Sequence, residues 1–242
     1  MPGAFDDGLV LVFGVLAPAL GIIRARSLVR AIEHGRGSAR RRAYLETIIM
    51  QWTMLAMVVC VWAWYDRPWV ALGIGPAAGI AFWVTAGLVL VGAGFFAVEL
   101  TRVRRDETAR REVRAQVARI VAILPRTASE RSVFLALGLT AGVCEELFYR
   151  GYMLWWGEAI GLPIWATVAL AAALFSFGHL YQGFDNAMRI FSLGVVFGAI
   201  AWLTGSIWIP IAAHALIDVA SGLTAYEALR DRSAQAARAP VV

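Results

Sequence analysis

The sequence predicts an all-α fold, a polytopic integral membrane helical bundle of about seven transmembrane helices with one amphipathic cytoplasmic helix. Hydrophobic residues make up 60% of the chain, and the mean hydropathy is +0.67, whereas a soluble domain is about 45–50% apolar. Arginine supplies all of the Lys+Arg count, because the chain contains no lysine, and it is concentrated in two loops. Long apolar stretches separated by basic loops are typical of a membrane-spanning bundle.

Seven apolar stretches approach the length of about 20 residues that a helix needs to cross a bilayer. The predicted spans lie near residues 8–23, 44–65, 79–100, 133–155, 163–181, 190–205 and 207–225. Residues 9–23 follow an acidic segment and precede a basic one, the reverse of a secretory leader, so they predict a retained first span. The stretch 69–78 is too short to span and contains Gly73, Gly75 and Pro76. It predicts an interfacial or re-entrant segment.

Two arginine-rich loops, residues 24–43 and 101–132, determine the predicted topology. Because two spans separate them, both loops lie on one side of the membrane, which the positive-inside rule assigns to the cytoplasm. With seven spans the N-terminus is then outside and the C-terminus cytoplasmic. We therefore predict a multi-pass protein of the plasma membrane.

The second loop contains a helical pattern of its own. Apolar residues recur there at helical spacing between arginines, at Val113, Val117, Ile120, Val121 and Leu124. This pattern predicts an amphipathic helix on the membrane surface, ending at Pro125. Thr127 and Glu130 have the spacing of a capping box and predict the start of the next helix.

Charge and cysteine content restrict the partners and the domain organisation. The net charge of +5 indicates contact with anionic lipid headgroups; no nucleic acid is predicted as a partner, because the rest of the chain is lipid-soluble. Cys60 and Cys144 lie in apolar spans without CxxC spacing, so neither a disulfide nor a thiolate zinc site is predicted. We predict one integral domain with N-terminal spans and basic loops (1–124), a functional core (125–225) and a cytoplasmic tail (226–242).

Ionisable residues inside the predicted spans form three clusters, and such residues indicate function because each costs about 2.5–3.5 kcal/mol on insertion scales. The first cluster is Glu145, Glu146 and Arg150 in the fourth span. On a helix Arg150 lies one turn from Glu146, whereas Glu145 points away from it. This geometry predicts a Glu146–Arg150 pair that leaves Glu145 free to face a cavity. The alternative is that all three form one ion-pair knot.

The other two clusters each contain a histidine. His179 shares a helix face with Phe175 near the end of the fifth span, and His214 shares one with Asp218 in the seventh. A lone intramembrane histidine is often a hydrogen-bonded packing residue, but two histidines and an unpaired glutamate on three helices indicate a site. Small-xxx-small faces that would allow these helices to pack closely occur at Gly138, Gly142, Gly194 and Gly198.

A carboxylate with two imidazoles can activate water for attack on a carbonyl. Glu145 would be the general base, one histidine would orient the water or shuttle the proton, and the second would stabilise the oxyanion. Glu145, His179 and His214 also resemble a His2Glu zinc site, in which the metal would lower the pKa of the water. No HExxH sequence occurs in the chain. Metal-free chemistry without a cofactor is the prediction, with zinc as the alternative.

The segments EELFYRG, FSFGH and HALID follow one another in this order along the chain. They resemble the three motifs of the CAAX prenyl protease type II family, also called the CPBP intramembrane proteases. The family pattern is EExxxR, FxxxH and Hxxx(N/D), and the resemblance covers roughly residues 125–225. It implies a glutamate-dependent endopeptidase whose site lies within the membrane and whose substrate is a membrane-anchored protein or peptide. It also implies that Glu146 and Arg150 are a structural pair, as the helix geometry predicts.

The resemblance implies a role for each remaining motif residue. Glu145 corresponds to the water-activating glutamate and His179 to its partner, and His214 and Asp218 correspond to the pair proposed to bind the oxyanion. Eukaryotic relatives have Asn where this chain has Asp218, and an ionised aspartate would repel an oxyanion. Protonation, orientation of His214 and metal binding are therefore all open roles for Asp218.

Two other functions are compatible with these residues. A non-catalytic membrane scaffold or bacteriocin-immunity-type protein would retain them as a polar core, and bacterial relatives include proteins linked to bacteriocin self-resistance. A proton-coupled transporter would use the glutamate and histidines as a relay, although the sequence shows no paired inverted repeat. The identity of the substrate, and whether it is prenylated, is not predicted.

Overall fold

The computed structural model describes residues 2–33, 38–76 and 79–230, which form α-helices and no strand. The α-helices of these segments are α1 (Ala4–Leu9), α2 (Ala17–Glu33), α3 (Ala39–Trp64), α4 (Ile80–Arg105), α5 (Glu107–Gln116), α6 (Ala128–Glu146), α7 (Met153–Ala159), α8 (Ile164–Phe177), α9 (Phe184–Thr204) and α10 (Trp208–Leu229). Two π-helical segments, Val10–Leu16 and Leu147–Tyr152, join α1 to α2 and α6 to α7. Each of these pairs is therefore one continuous helical stretch.

Six helical stretches of the described chain are long and apolar enough to cross a membrane, which confirms the polytopic helical bundle. These stretches are Ala4–Ile32, Ala39–Trp64, Ile80–Arg105, Ala128–Ala159, Phe184–Thr204 and Trp208–Leu229. The predicted count of seven is not confirmed, because helix α8 has only 14 residues. Pro163 stands at its N-cap, and the chain leaves the helix at Gly178. At 1.5 Å per residue α8 extends about 21 Å, less than the roughly 30 Å of a hydrocarbon core.

The loops differ from the sequence expectation in detail. The short stretch 69–78 begins as a 3-10 turn, Trp69–Leu72, whose last side chain is fully buried; residues 77 and 78 are not described. Gly73 follows with a φ of 73°, in the left-handed region, and its carbonyl accepts a hydrogen bond of 3.0 Å from the amide of Ile207. This segment therefore packs against the residue that precedes α10.

The predicted amphipathic helix of the second loop is split. Helix α5 gives way to a 3-10 helix at Ala118–Ile123. Ala109 and Val113, on the apolar side of α5, are buried in a cluster with Val103 of α4 and Ala228 of α10. This part of the predicted apolar face, at Val113, therefore packs on the protein.

Helix α6 lies at the centre of the bundle and packs against α3 and α10, while α8 packs against α9. Gly142 sets the distance between α6 and α10, because a Cβ at this position would lie 2.9 Å from the backbone nitrogen of Ala215. At the other interface Gly194 and Gly198 of α9 face Ala172 and Val168 of α8. These glycines therefore lie at close helix–helix contacts.

A buried ion pair joins three separate parts of the chain. Asp6 is fully buried and accepts two hydrogen bonds of 2.7 Å from Arg67 and one of 2.6 Å from the hydroxyl of Tyr152. The guanidinium of Arg67 lies 4.2 Å from the ring centroid of Trp155 and 4.4 Å from that of Tyr65. The hydrogen bonds to Asp6 raise the pKa of Arg67. This network ties α1 to the α3–α4 loop and to the π-helical segment after α6.

The C-terminal tail was predicted to cover residues 226–242. Residues 226–229 instead complete α10, which ends at Leu229. Residues 231–242, and residues 34–37 of the first arginine-rich loop, lie outside the described part of the chain.

Candidate active site

The predicted site residues of α6 lie where this helix meets α10. Glu145 and Glu146 are the last two residues of α6, and the π-helical segment Leu147–Tyr152, which contains Arg150, follows at once. Such a widened turn inside an α-helix is often found at functional sites. The motif EELFYRG therefore changes its helical geometry directly after its two acidic residues.

Glu146 is fully buried, and two donors bind one of its oxygens, whereas Oε2 has no hydrogen-bond partner among the described residues. Its Oε1 accepts a hydrogen bond of 2.8 Å from Nη1 of Arg150 and one of 2.6 Å from Nδ1 of His214. The guanidinium of Arg150, also buried, contacts the carbonyl of Gly194 at 3.4 Å and lies 4.5 Å from the ring centroid of Phe175. A buried charge needs partners of this kind, because removing one leaves the other uncompensated. The pair predicted from helix geometry is thus present, and His214 extends it.

His214 is held so that its second ring nitrogen faces two other carboxylates. Its Nδ1 donates to Glu146, and its Nε2 lies 3.9 Å from Oε2 of Glu145 and 3.6 Å from Oδ2 of Asp218. Both separations exceed a direct hydrogen bond. Asp218 therefore lies beside His214, but the direct hydrogen bond of His214 goes to Glu146.

Glu145 does not join the Glu146–Arg150 pair. One of its oxygens, Oε1, accepts a hydrogen bond of 2.5 Å from Nε2 of Gln51 in α3, and the other, Oε2, lies on the side of His214. The Glu145 side chain is 17% exposed and that of Asp218 is 38% exposed, so this group of side chains opens to the surface on the Asp218 side.

Gln51 is a site residue that the sequence analysis missed. Its signal was a lone amide side chain within the second apolar span, and spacing alone could not relate it to the motifs. The contact is made because α3 packs against α6. Gln51 and Glu145 are 94 positions apart along the chain.

His179 lies just beyond α8 and precedes the 3-10 turn Leu180–Gln182. Its Nδ1 is 2.9 Å from the carbonyl oxygen of Phe175. Because a carbonyl only accepts, Nδ1 is the donor, and Nε2 of a neutral ring is left as an acceptor. The Phe175 ring packs edge-on against His179 at 5.0 Å and against His214 at 5.7 Å between centroids. One aromatic ring thus contacts both imidazoles.

The zinc alternative names Glu145, His179 and His214 as ligands. Within the described segments, no three His, Cys, Asp or Glu side chains are grouped as a metal ion requires. The Nδ1 contacts of His214 with Glu146 and of His179 with a carbonyl leave Nε2 of each ring free, which is also how histidines that bind a metal are oriented.

Comparison with known proteins supports the resemblance that the motifs indicate. Residues 127–220 match the family model described as Type II CAAX prenyl endopeptidase Rce1-like, which confirms the predicted resemblance to the CAAX protease family. Comparison with curated proteins and with solved structures finds no match. At the level of the family, the match supports a CAAX-protease-like membrane endopeptidase. The matched segment includes every site residue predicted from the sequence, whereas Gln51 lies outside it.

Proposed function

Taking the match of residues 127–220 to the type II CAAX prenyl endopeptidases as the premise, we propose that this protein is an intramembrane endopeptidase. It hydrolyses a peptide bond of a membrane-associated protein or peptide. The observation that carries the proposal is the different environment of two adjacent carboxylates. Glu146 accepts hydrogen bonds from Arg150 and His214. Oε2 of Glu145, in contrast, lies 3.9 Å from Nε2 of His214. A carboxylate oxygen beside an imidazole is suited to activating water.

In the proposed reaction Glu145 accepts a proton from water while the water oxygen bonds to the carbonyl carbon of the substrate. His179 contributes the acceptor Nε2, which holds the second hydrogen of that water. The tetrahedral oxyanion receives a hydrogen bond from Nε2 of His214 in its doubly protonated form. The carbon–nitrogen bond then breaks, and Glu145 returns its proton to the departing amine. The products are a carboxylic acid and an amine.

The remaining motif residues position these groups. Glu146 holds the ring of His214 through Nδ1, and Arg150 neutralises Glu146. Asp218, at 3.6 Å from Nε2, orients the free side of the ring. An ionised Asp218 would oppose an oxyanion, so its proposed role is orientation of His214 rather than direct binding of the oxyanion.

The first test replaces the proposed general base. Full-length protein in liposomes is assayed on membrane-tethered peptides, including a farnesylated CAAX peptide. We expect Glu145→Ala to lower the rate of cleavage by at least about 100-fold, the contribution of a general base, without lowering the thermal unfolding temperature. Glu158→Ala, which changes another carboxylate of the same helical stretch, is the matched control. Full activity of Glu145→Ala would reject the role of Glu145. Substrate trapping with Glu145→Gln would identify the natural substrate.

Metal dependence is tested separately. Because Glu145 can serve as the general base without a metal, we expect elemental analysis of the purified protein to find no stoichiometric zinc. Cleavage should then persist after chelation. Zinc at one equivalent, together with loss of cleavage on chelation and recovery on adding zinc, would establish a metalloenzyme.

A structural role of the polar core is the second candidate, and the complete burial of the Glu146–Arg150 pair favours it. A scaffold or immunity-type protein would need this pair but not the water-activating groups. Its cellular phenotype would survive Glu145→Ala and His179→Ala and be lost in Arg150→Ala. The endopeptidase proposal requires the phenotype to be lost in all three variants.

The cellular placement is also a proposal. The described chain is that of a multi-pass membrane protein, and the arginine-rich loops support an orientation with both loops in the cytoplasm of a plasma membrane. The N-terminus would then be outside. Accessibility of single cysteines introduced at Arg111 and Asp7 to a membrane-impermeant reagent would test this orientation.

A further inference from the structure

We propose that Gln51 is a positioning residue for Glu145, which holds one carboxylate oxygen and thereby presents the other to His214. The hydrogen bond from Nε2 of Gln51 to Oε1 of Glu145 is 2.5 Å long. The second oxygen of Glu145 is the one at 3.9 Å from Nε2 of His214. The two oxygens of Glu145 are therefore not equivalent.

The burial of Gln51 shows that packing alone does not explain an amide at this position. Gln51 is only 5% exposed, and its Oε1 has no hydrogen-bond partner in the described part of the chain. A buried polar atom without a partner is destabilising, whereas an apolar side chain of the same shape has no such cost. Any favourable contribution of the Gln51 amide must therefore come from its NH2 group, which donates to Glu145.

The direction of the hydrogen bond restricts the carboxylate. Nε2 of Gln51 is a donor and Oε1 of Glu145 is the acceptor. The reverse orientation of the amide would place two acceptor oxygens against each other, unless Glu145 carried a proton on that oxygen. The contact therefore favours the ionised form of Glu145 and limits rotation of its carboxylate. A general base must be ionised and correctly oriented in order to accept a proton from water, and the contact with Gln51 supports both.

The position of Gln51 extends the site beyond the family segment. It lies on α3, whereas the family match begins at residue 127. The consequence for hydrolysis rests on the proposed function, but the effect of Gln51 on the carboxylate of Glu145 does not. The two can therefore be tested independently.

The first experiment needs no substrate. A hydrophobic carbodiimide, dicyclohexylcarbodiimide, adds to the protonated carboxyl and leaves an adduct that mass spectrometry locates on Glu145. The full chain in liposomes is labelled across a pH series, and the midpoint of labelling is compared for wild type, Gln51→Met and Thr47→Val. Thr47 lies one turn away on α3, and within the described segments its hydroxyl donates to its own helix, at the carbonyl of Ala43, so Thr47→Val is the matched control.

We expect Gln51→Met to move the midpoint upward by about one pH unit or more, because the ionised carboxylate has lost a hydrogen-bond donor. Thr47→Val should leave the midpoint in place. An unchanged midpoint in folded Gln51→Met would overturn the proposal. If Gln51→Met does not fold, Gln51→Asn decides the question. Its amide is one methylene shorter, and the same upward shift supports the proposal while an unchanged midpoint overturns it.

The second experiment separates positioning from a structural role. With the farnesylated CAAX peptide as probe, we expect Gln51→Met to lower kcat by about 10- to 100-fold with little change in KM. The acid limb of the kcat profile should move to higher pH. A merely structural role would lower the amount of folded enzyme without moving the pH profile, and an unmoved profile would overturn the catalytic part of the proposal. If the wild type cleaves no peptide, the proposed function fails, and carbodiimide labelling still decides the role of Gln51.

Discussion

At the scale of single residues, two neighbouring glutamates have different environments. Glu146 is buried between Arg150 and His214, and Glu145 is turned toward Gln51 with one oxygen on the side of His214. The 100° step between successive helical residues explains why adjacent side chains can meet different partners. Local spacing therefore predicted the Glu146–Arg150 contact. It could not predict the contacts with Gln51 and His214, because these depend on how separate helices pack.

The buried pair gives a prediction about stability. Replacing Arg150 with Met leaves Glu146 buried beside only one donor, so we expect the free energy of unfolding to fall by about 3–5 kcal/mol. The matched control is Arg119→Met, since Arg119 pairs with Asp185 at a surface where both side chains are more than 70% exposed. That change should cost no more than about 1 kcal/mol. Denaturant titration in detergent measures both, and equal losses would contradict the assigned importance of the buried pair.

At the scale of the elements, local sequence signals predicted where helices begin and where they pack closely better than they predicted how long the helices are. The capping box at the start of α6 is present, with Glu130 donating its amide to Thr127 and accepting from the amide of Thr127 through its side chain. Helix α8 is shorter than predicted, because hydropathy continues through residues that leave the helix. His179 therefore lies in a turn rather than within a span. Hydropathy measures solubility in lipid and does not determine where backbone hydrogen bonding stops.

The contact between α6 and α10 gives a second prediction. A Cβ on Gly142 would lie within 3.0 Å of both backbone and side-chain atoms of Ala215, so Gly142→Ala must push the two helices apart. We expect the free energy of unfolding to fall by about 1–3 kcal/mol. Cleavage should also fall, because the hydrogen bond between Glu146 and His214 crosses this contact. Gly94→Ala is the control, since no atom lies within 4 Å of a Cβ there. Equal behaviour of the two variants would show that the close contact is unimportant.

At the scale of the whole molecule, the N-terminal helices contact the family segment through polar side chains. Gln51 reaches Glu145, and Asp6 reaches Tyr152, two residues beyond Arg150. Neither contact could be read from the motifs, because both join distant parts of the chain. The family match begins at residue 127. These earlier helices therefore complete polar networks that the matched segment leaves open.

The Asp6 network gives a third prediction. Asp6→Ala leaves Arg67, whose side chain is 10% exposed, without its carboxylate, and we expect the free energy of unfolding to fall by roughly 3–5 kcal/mol. Asp7→Ala is the neighbouring control. It removes a single exposed hydrogen bond from Trp156 and should cost about 1 kcal/mol or less. If thermal unfolding in detergent ranked the two variants in the opposite order, Asp6 would not anchor the N-terminal helix.

The short helix α8 has a consequence for hydration. A hydrophobic segment shorter than the hydrocarbon thickness thins the bilayer around it or brings headgroups down to its ends. Since His179 lies two residues beyond the end of α8, we expect the aqueous phase to reach deeper beside it than beside the six long helical stretches. The proposed hydrolysis would consume one water molecule per turnover, and hydrocarbon dissolves almost none. Local thinning of the membrane around α8 would therefore give bulk water a short path to the imidazole of His179.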